Sequence, residues 1–98
     1  MYNPEIVIIG GAIIDVLVRP VSARVFETGS YPVEDIHMTT GADALNEATI
    51  LAYMNRKVQL ETVIGKDDAG SFIQNHLQSS GIYVRKNCVK ETEKTGMN

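Results

Sequence analysis

One feature constrains the fold of this chain more than any other, namely a run of β-branched residues that ends in two glycines. Residues 5–11 read EIVIIGG. Strands buried on both faces of a parallel sheet have continuous apolar runs, whereas half-exposed strands alternate apolar and polar residues. The run therefore predicts a strand buried on both faces, followed by a tight passage at Gly10 and Gly11.

The segment after the glycines has the pattern of a smaller layer of strands. Apolar residues resume at 13–18, Asp15 lies among them, and Pro20 ends the segment. Residues 21–31 are mixed and contain loop-forming residues, whereas 33–39 alternate loosely as half-exposed strands do. Residues 13–39 are therefore predicted to include a hairpin-like layer that projects from the main sheet.

The rest of the chain alternates helical and extended patterns. Helical periodicity covers residues 44–54, a strand pattern covers 58–64, a second helix covers 71–80, and an extended segment begins at Ile82. Strands that alternate with helices predict an α/β fold with a parallel sheet.

Polar residues and glycine mark the ends of both helices. Thr40 or Asp43 is expected to cap the start of the first helix, and Asn55 is expected to adopt a left-handed conformation after its end. Gly81 is expected to end the second helix in the same way. These signals agree with the boundaries that the periodicity predicts.

Length and composition restrict the kind of protein further. The 98 residues correspond to one domain, and no apolar stretch approaches the roughly 20 residues that a membrane span needs. Cys88 is the only cysteine, which excludes an internal disulfide and a zinc site with several cysteines. The first five residues lack the basic region of a secretory signal. A cytoplasmic location is therefore expected, with no membrane partner.

The charge is distributed unevenly. The net charge of −3 argues against nucleic acid as a partner. Residues 1–49 hold seven acidic and two basic residues, whereas residues 50–98 hold five acidic and seven basic residues. A carboxylate accepts hydrogen bonds from hydroxyl groups, so the acidic half suits a neutral, hydroxyl-rich ligand. An ordinary solvated face remains the alternative interpretation.

Asp15 is the first candidate functional residue. Ligands of parallel α/β sheets bind beyond the carboxyl ends of the strands, and Asp15 follows the buried strand and its glycines. A carboxylate among apolar residues is costly to bury without partners, which favours a functional role over an exposed position in a turn.

Two phosphate-binding motifs are excluded by their spacing. A dinucleotide fingerprint that began at Gly10 would need glycines where Ala12 and Asp15 stand. Segment 65–70 reads GKDDAG, in which Lys66 is not followed by Ser or Thr as a P-loop requires. That segment predicts a turn whose aspartates cap the second helix. A generic nucleotide-binding domain is therefore disfavoured.

The second candidate is the segment 41–48, which reads GADALNEA. Small residues at the start of a helix let backbone amides approach a ligand closely, and Asn46 is able to turn its amide toward the same ligand. Asp43 and Asn46 are three residues apart and share a helical face. An ordinary helix whose alanines pack on the sheet explains the same spacing.

These segments, in this order, resemble the amino-terminal part of the PfkB (ribokinase-like) carbohydrate kinase family. The resemblance spans essentially the whole chain. It rests on the opening strand with its glycines and Asp15, and on segments 41–48, 63–70, 80–82 and 95–96. Each segment is a weak signal, but their order and spacing together are specific. The TTGxDAxNEA form of residues 39–48 looks closest to uncharacterised bacterial sugar kinases.

The resemblance implies an α/β, three-layer ribokinase-like fold with a small β lid that often forms a homodimer interface. It implies transfer of the γ-phosphate of ATP, with Mg²⁺, to a hydroxyl of a sugar or sugar acid. The substrate-binding residues that it implies are Asp15, Gly41, Ala42, Asp43 and Asn46. Two of them depart from the family pattern, because Ala42 replaces a second glycine and Asp43 replaces the lysine of ribokinases. Ribose as the substrate is therefore in doubt.

The resemblance also implies parts that the 98 residues lack. Family catalysis uses an aspartate base in a glycine-rich GAGD motif near the far carboxyl end, and residues 40–43, which read TGAD, match the sugar motif instead. Residues 95–98 read like the start of another strand, which suggests truncation. The chain is therefore expected to be the amino-terminal portion of one kinase domain, without catalytic, ATP-binding or metal-binding residues and inactive alone. A non-catalytic, self-associating interaction module is the rival hypothesis.

Overall fold

The parallel pair that the opening strand predicts is present in the computed structural model, which describes residues 2–98. Strand β1 (Ile6–Ile9) pairs in parallel with β4 (Val58–Glu61), with Ile6 opposite Val58. Helix α1 (Asp43–Tyr53) connects the hairpin layer to β4 and packs on both strands. Val7 and Ile9 of β1 are exposed, so the expected burial of β1 on both faces is wrong for these residues, because helix α1 covers one face alone.

The hairpin-like layer is confirmed. Strand β2 (Ile13–Arg19) pairs along its whole length with antiparallel β3 (Asp35–Gly41), and a 3₁₀ helix, Ala23–Glu27, lies in the loop between them. The short strand β7 (Gly96–Met97) adds in parallel to the other edge of β2, so the order is β3-β2-β7.

Helix α1 begins differently from the sequence-based expectation. Ala42 is its N-cap residue and no side chain caps it, so the expected cap by Thr40 or Asp43 is wrong. The Leu45 amide instead donates to the Gly11 carbonyl at 3.3 Å. The left-handed conformation expected of Asn55 is confirmed by its φ of 62°.

Helix α2 (Asp68–Ser80) has the expected caps. Asp67 accepts a hydrogen bond from the Gly70 amide at 2.7 Å, and Gly81 ends the helix in the left-handed region with a φ of 75°. The helix starts three residues earlier than its periodicity predicts because the Asp67 cap precedes the apolar positions. One continuous strand over 58–64 is not observed.

The end of that predicted strand belongs to another sheet. Strand β5 (Ile64–Gly65) pairs in parallel with β6 (Val89–Lys90), which follows a 3₁₀ turn at Lys86–Cys88. The core lies between the strands and the two helices. Its largest fully buried side chains are those of Ile14, Leu45, Leu60, Ile64, Ile73, Leu77 and Val58.

Candidate functional site

Asp15 and Gly41, which are far apart in sequence, lie against each other. Asp15 is a half-buried residue of β2 opposite Thr39, and Gly41 is the last residue of β3. A Cβ added at Gly41 would overlap the Asp15 carboxylate, with Cγ of Asp15 only 3.0 Å away. The absence of a side chain at Gly41 therefore gives the carboxylate the space that it occupies.

Ala42 joins β3 to α1 in a conformation that is rare for alanine. Its φ and ψ are 79° and 151°. This region is occupied almost only by glycine, because a Cβ there clashes with the local backbone. The Ala42 carbonyl accepts the first helical hydrogen bond from the Asn46 amide at 3.0 Å. The strained residue therefore sets the direction in which the helix leaves the sheet.

Asp43 and Asn46 lie on the first turn of α1, and both are exposed. The unpaired amides at the start of a helix carry a partial positive charge, which complements a carboxylate on the first turn. Both residues lie within five positions of Gly41 along the chain, so all five candidate residues lie at the junction of β2, β3 and α1. Asp15 and Gly41 are the two candidates from different strands that lie against each other, and Ala42 and Asn46 are joined by the first hydrogen bond of α1.

The glycine pair lets the β1–β2 connection pack closely against the start of α1. A Cβ at Gly10 would stand 2.8 Å from Cβ of Ala44, and one at Gly11 would stand 3.5 Å from Cβ of Ala42. The start of α1 therefore lies directly against the β1–β2 connection. The signal in the sequence was the pair itself, since glycines often mark close backbone approach.

Asn98 is a neighbour of Asp15 that sequence reasoning missed. Its Nδ2 donates to Oδ1 of Asp15 at 3.4 Å, and it follows β7 on the edge of β2. Nothing in a lone asparagine at position 98 indicated a contact with residue 15.

Asp67 holds the segment that precedes β7. Its Oδ1 accepts from the Thr95 hydroxyl at 2.6 Å, and its Oδ2 accepts from the Thr95 amide at 3.0 Å. These two bonds, followed by the bond from the Gly70 amide, hold the pKa of Asp67 below its ordinary value. Asp67, the cap of α2, therefore also anchors the segment before β7, which is followed by Asn98 beside Asp15.

A second charged cluster lies at the end of β4. The Arg85 guanidinium forms an ion pair with Glu61, with Nε 2.6 Å from Oε1. Hydrogen bonds from Arg85 and then Gln59 lower the pKa of Glu61, and the same pairing raises the pKa of Arg85. The charges of Glu61 and Arg85 therefore compensate each other.

Residues 2–98 offer no group of three acidic, histidine or cysteine side chains that is able to hold a metal ion. Among the same residues, no helix is long and apolar enough to cross a membrane.

The family model described as pfkB family carbohydrate kinase matches residues 3–98. The chain belongs to the PfkB family of carbohydrate kinases. The match covers almost every residue, and it confirms the family that segments 41–48, 63–70 and 95–96 indicate. The α/β fold expected of a ribokinase-like kinase is confirmed by the solved structures that the chain resembles.

Three solved structures illustrate the similarity. A PfkB protein from Polaromonas sp. JS666 superposes with a TM-score of 0.81 at 23% identity, over 97% of this chain and 30% of its own. A fructokinase from Xylella fastidiosa with bound ATP superposes with a TM-score of 0.76 at 22% identity, over 97% of this chain and 29% of its own. The third is aminoimidazole riboside kinase from Salmonella enterica, complexed with aminoimidazole riboside and an ATP analogue. It superposes with a TM-score of 0.70 at 18% identity, over 94% of this chain and 27% of its own.

The chain thus spans less than a third of each of these kinases. At such identities the superpositions establish the fold, and the family match establishes the relationship to carbohydrate kinases.

Proposed function

We propose that these 98 residues form the sugar-binding portion and lid of an ATP-dependent carbohydrate kinase. The reaction is transfer of the γ-phosphate of ATP to a hydroxyl of a sugar or sugar acid. Asp15, Gly41, Ala42, Asp43 and Asn46 bind and orient that substrate. The ATP-binding and catalytic residues, including those for Mg²⁺, lie outside the 98 residues, so this chain alone does not turn over substrate.

The contact between Asp15 and Gly41 carries the proposal. It joins the acidic residue of β2 to the small-residue start of α1, which are two of the segments on which the resemblance to the family rests. A carboxylate there accepts hydroxyl protons, and the nearby helix start offers backbone amides and a positive partial charge. Such an arrangement orients a polyol without performing chemistry on it.

The neighbouring structures support the choice of reaction. One is a fructokinase with bound ATP, and another is a kinase of a riboside in complex with an ATP analogue. Phosphoryl transfer depends mainly on positioning and on charge stabilisation, so a segment that orients the substrate contributes to the reaction. We place the enzyme in the cytoplasm.

Sugar binding is the test of this proposal. The 98-residue chain is titrated with D-fructose, D-ribose and D-gluconate by calorimetry. We expect one of them to bind, and Asp15→Ala to weaken that binding about tenfold or more, because hydrogen bonds to a charged group are lost. Asp68→Ala, which removes a carboxylate on α2, should bind as the wild type does. Absence of any sugar response would contradict the proposal.

A self-associating module is the second candidate, because one face of the lid is apolar and exposed. Val18, Ile36 and Met38 lie on the same face of the β2–β3 pair and are each at least 41% exposed. A second copy of this chain would present the same apolar strands to that face and is the partner that we propose for it. We propose a homodimer through the lid strands, which is compatible with sugar binding on the opposite face.

A further inference from the structure

The lid continues the face that contains Asp15 toward its tip. Beyond Asp15, the β2–β3 pair has Leu17 opposite His37 and then Arg19 opposite Asp35. Side chains two residues apart on a strand point to the same face, and each such step covers about 7 Å. Arg19 and Asp35 therefore lie about 13 Å from Asp15 along the strands, which is farther than a single sugar ring extends.

These side chains line a groove of about 380 Å³, which we call the lid groove (Leu17, Arg19, Asp35 and His37). Leu17 is 55% exposed, and His37 opposite it is exposed as well. Side chains directly opposite each other in an antiparallel pair have Cβ atoms about 5 Å apart, so the aliphatic and the aromatic group are neighbours. The middle of the groove is therefore an apolar floor that is open to solvent.

The far end of the lid groove is polar. Nε of Arg19 donates to Oδ2 of Asp35 at 3.0 Å. Within residues 2–98, the terminal NH₂ groups of Arg19 and Oδ1 of Asp35 have no hydrogen-bond partner. An arginine only donates and a carboxylate only accepts, so the pair offers both kinds of group side by side. A hydroxyl group uses both, whereas a ring without hydroxyl groups would leave them unpaired.

We propose that the lid groove is a subsite for the second ring of a substrate that contains at least two sugar rings. The first ring lies at Asp15. The second ring packs its apolar C–H face on Leu17 and His37, because this contact removes apolar surface of both partners from water, and its hydroxyl groups bind Arg19 and Asp35. The face proposed for the dimer is the opposite one, so a dimer leaves the groove open. This assignment rests on the proposed sugar-binding function and narrows its substrate class to glycosides.

The position of the second ring is tested by nuclear magnetic resonance. In the chain with ¹³C-labelled methyl groups, lactulose, which carries a galactose ring on fructose, should shift the methyl signals of Leu17. D-fructose alone should shift them less. The methyl signals of Val18, the next residue of β2 on the opposite face, should keep their positions. Leu17 signals that do not move at saturation with a two-ring sugar would contradict the assignment.

The contribution to affinity is measured with paired ligands by calorimetry. D-fructose is compared with lactulose and turanose, D-gluconate with maltobionate, and D-ribose with uridine, whose second ring is aromatic. We expect a two-ring sugar to bind about tenfold more tightly than its monosaccharide. Leu17→Ala and His37→Ala should each weaken binding of that two-ring sugar about five- to tenfold and change binding of the monosaccharide less than about twofold. Phe26→Ala, which removes a 90% exposed side chain elsewhere in the lid, should change neither.

The other outcomes separate the two proposals. Monosaccharides that bind as tightly as every two-ring sugar, or a gain that Leu17→Ala and His37→Ala leave intact, contradict the second subsite, while sugar binding itself still supports the proposed function. A gain for uridine alone contradicts a sugar ring in the groove. Failure of the wild type to bind any of the one-ring and two-ring sugars contradicts the proposed function and the second subsite together.

Discussion

Ala42 holds a conformation that its own side chain opposes. A φ of 79° with a ψ of 151° costs a residue with a Cβ about 1–3 kcal/mol, and it persists where the surroundings enforce it. Here the Gly11 carbonyl accepts a hydrogen bond from the Leu45 amide, and the Ala42 carbonyl accepts one from the Asn46 amide. The helix start is therefore held from both sides at the position where the substrate is proposed to bind.

Replacing Ala42 with glycine should stabilise the chain. The substitution removes the strain, although glycine also makes the unfolded chain more flexible, so we expect a net gain of about 1 kcal/mol. For a chain of this length such a gain raises Tm by about 4–8 °C. Thermal unfolding followed by circular dichroism measures the change.

The matched control for this substitution is Ala52→Gly in the last turn of α1. Ala52 has helical neighbours on both sides, so glycine there should lower the stability by about 1 kcal/mol. A loss of stability in both variants would mean that the Ala42 backbone is not strained.

The sequence indicated candidate residues, but it did not indicate all of their contacts. Asp15 and segment 41–48 were recognisable because residue type and position near a strand end or helix start are local signals. The contact of Asn98 with Asp15 depends on the pairing of β7 with β2, which involves residues more than 80 positions apart. Local patterns contain no information about such a pair.

At the scale of elements, one carboxylate connects the start of α2 to the approach of β7. Asp67 caps the helix through Gly70 and binds both the hydroxyl and the amide of Thr95. Thr95 is buried, and its hydroxyl oxygen also accepts from the Gly65 amide at 2.9 Å. The helix cap was predictable from the spacing of the segment, whereas the bond to Thr95 was not, because it crosses 28 positions.

Asp67→Asn should lower Tm at about pH 7, because the amide group cannot accept both Thr95 bonds. The pKa of Asp67 in the folded chain is below its ordinary value of 3.8, so its contribution to stability is present above that value. It is lost as the pH falls below 3.8 and through the folded pKa. The difference in Tm between wild type and variant should therefore shrink toward about pH 3.

Asp68→Asn is the comparison for this experiment. Asp68 is exposed in the first turn of α2, and neutralising it changes the charge by the same amount. Melting curves at several pH values should show a smaller effect for it. If both variants lost equal stability at every pH, a general charge effect would explain the result and the Thr95 bonds would not.

At the scale of the whole molecule, the chain is extended. Its radius of gyration is 16.0 Å, against about 13 Å for a compact domain of this length. The sequence predicted the order of strands and helices. It did not show that Val7 and Ile9 of β1, or the face of the β2–β3 pair with Val18, Ile36 and Met38, would stay exposed, because burial depends on what packs against each face. Exposed apolar faces of this kind favour association.

The exposed apolar face of the β2–β3 pair (Val18, Ile36 and Met38) should mediate a dimer of the chain. Ile36 lies on this face of β3 and is 64% exposed, and the adjacent His37 points to the opposite face. Ile36→Lys would place a charge in the centre of the proposed interface, so we expect a monomer where the wild type is a dimer, measured by light scattering coupled to size-exclusion chromatography. His37→Lys adds the same side chain to the same strand and should leave the dimer intact. Dimers that persist in Ile36→Lys would show that the interface lies elsewhere. A monomeric wild type would contradict the proposed dimer.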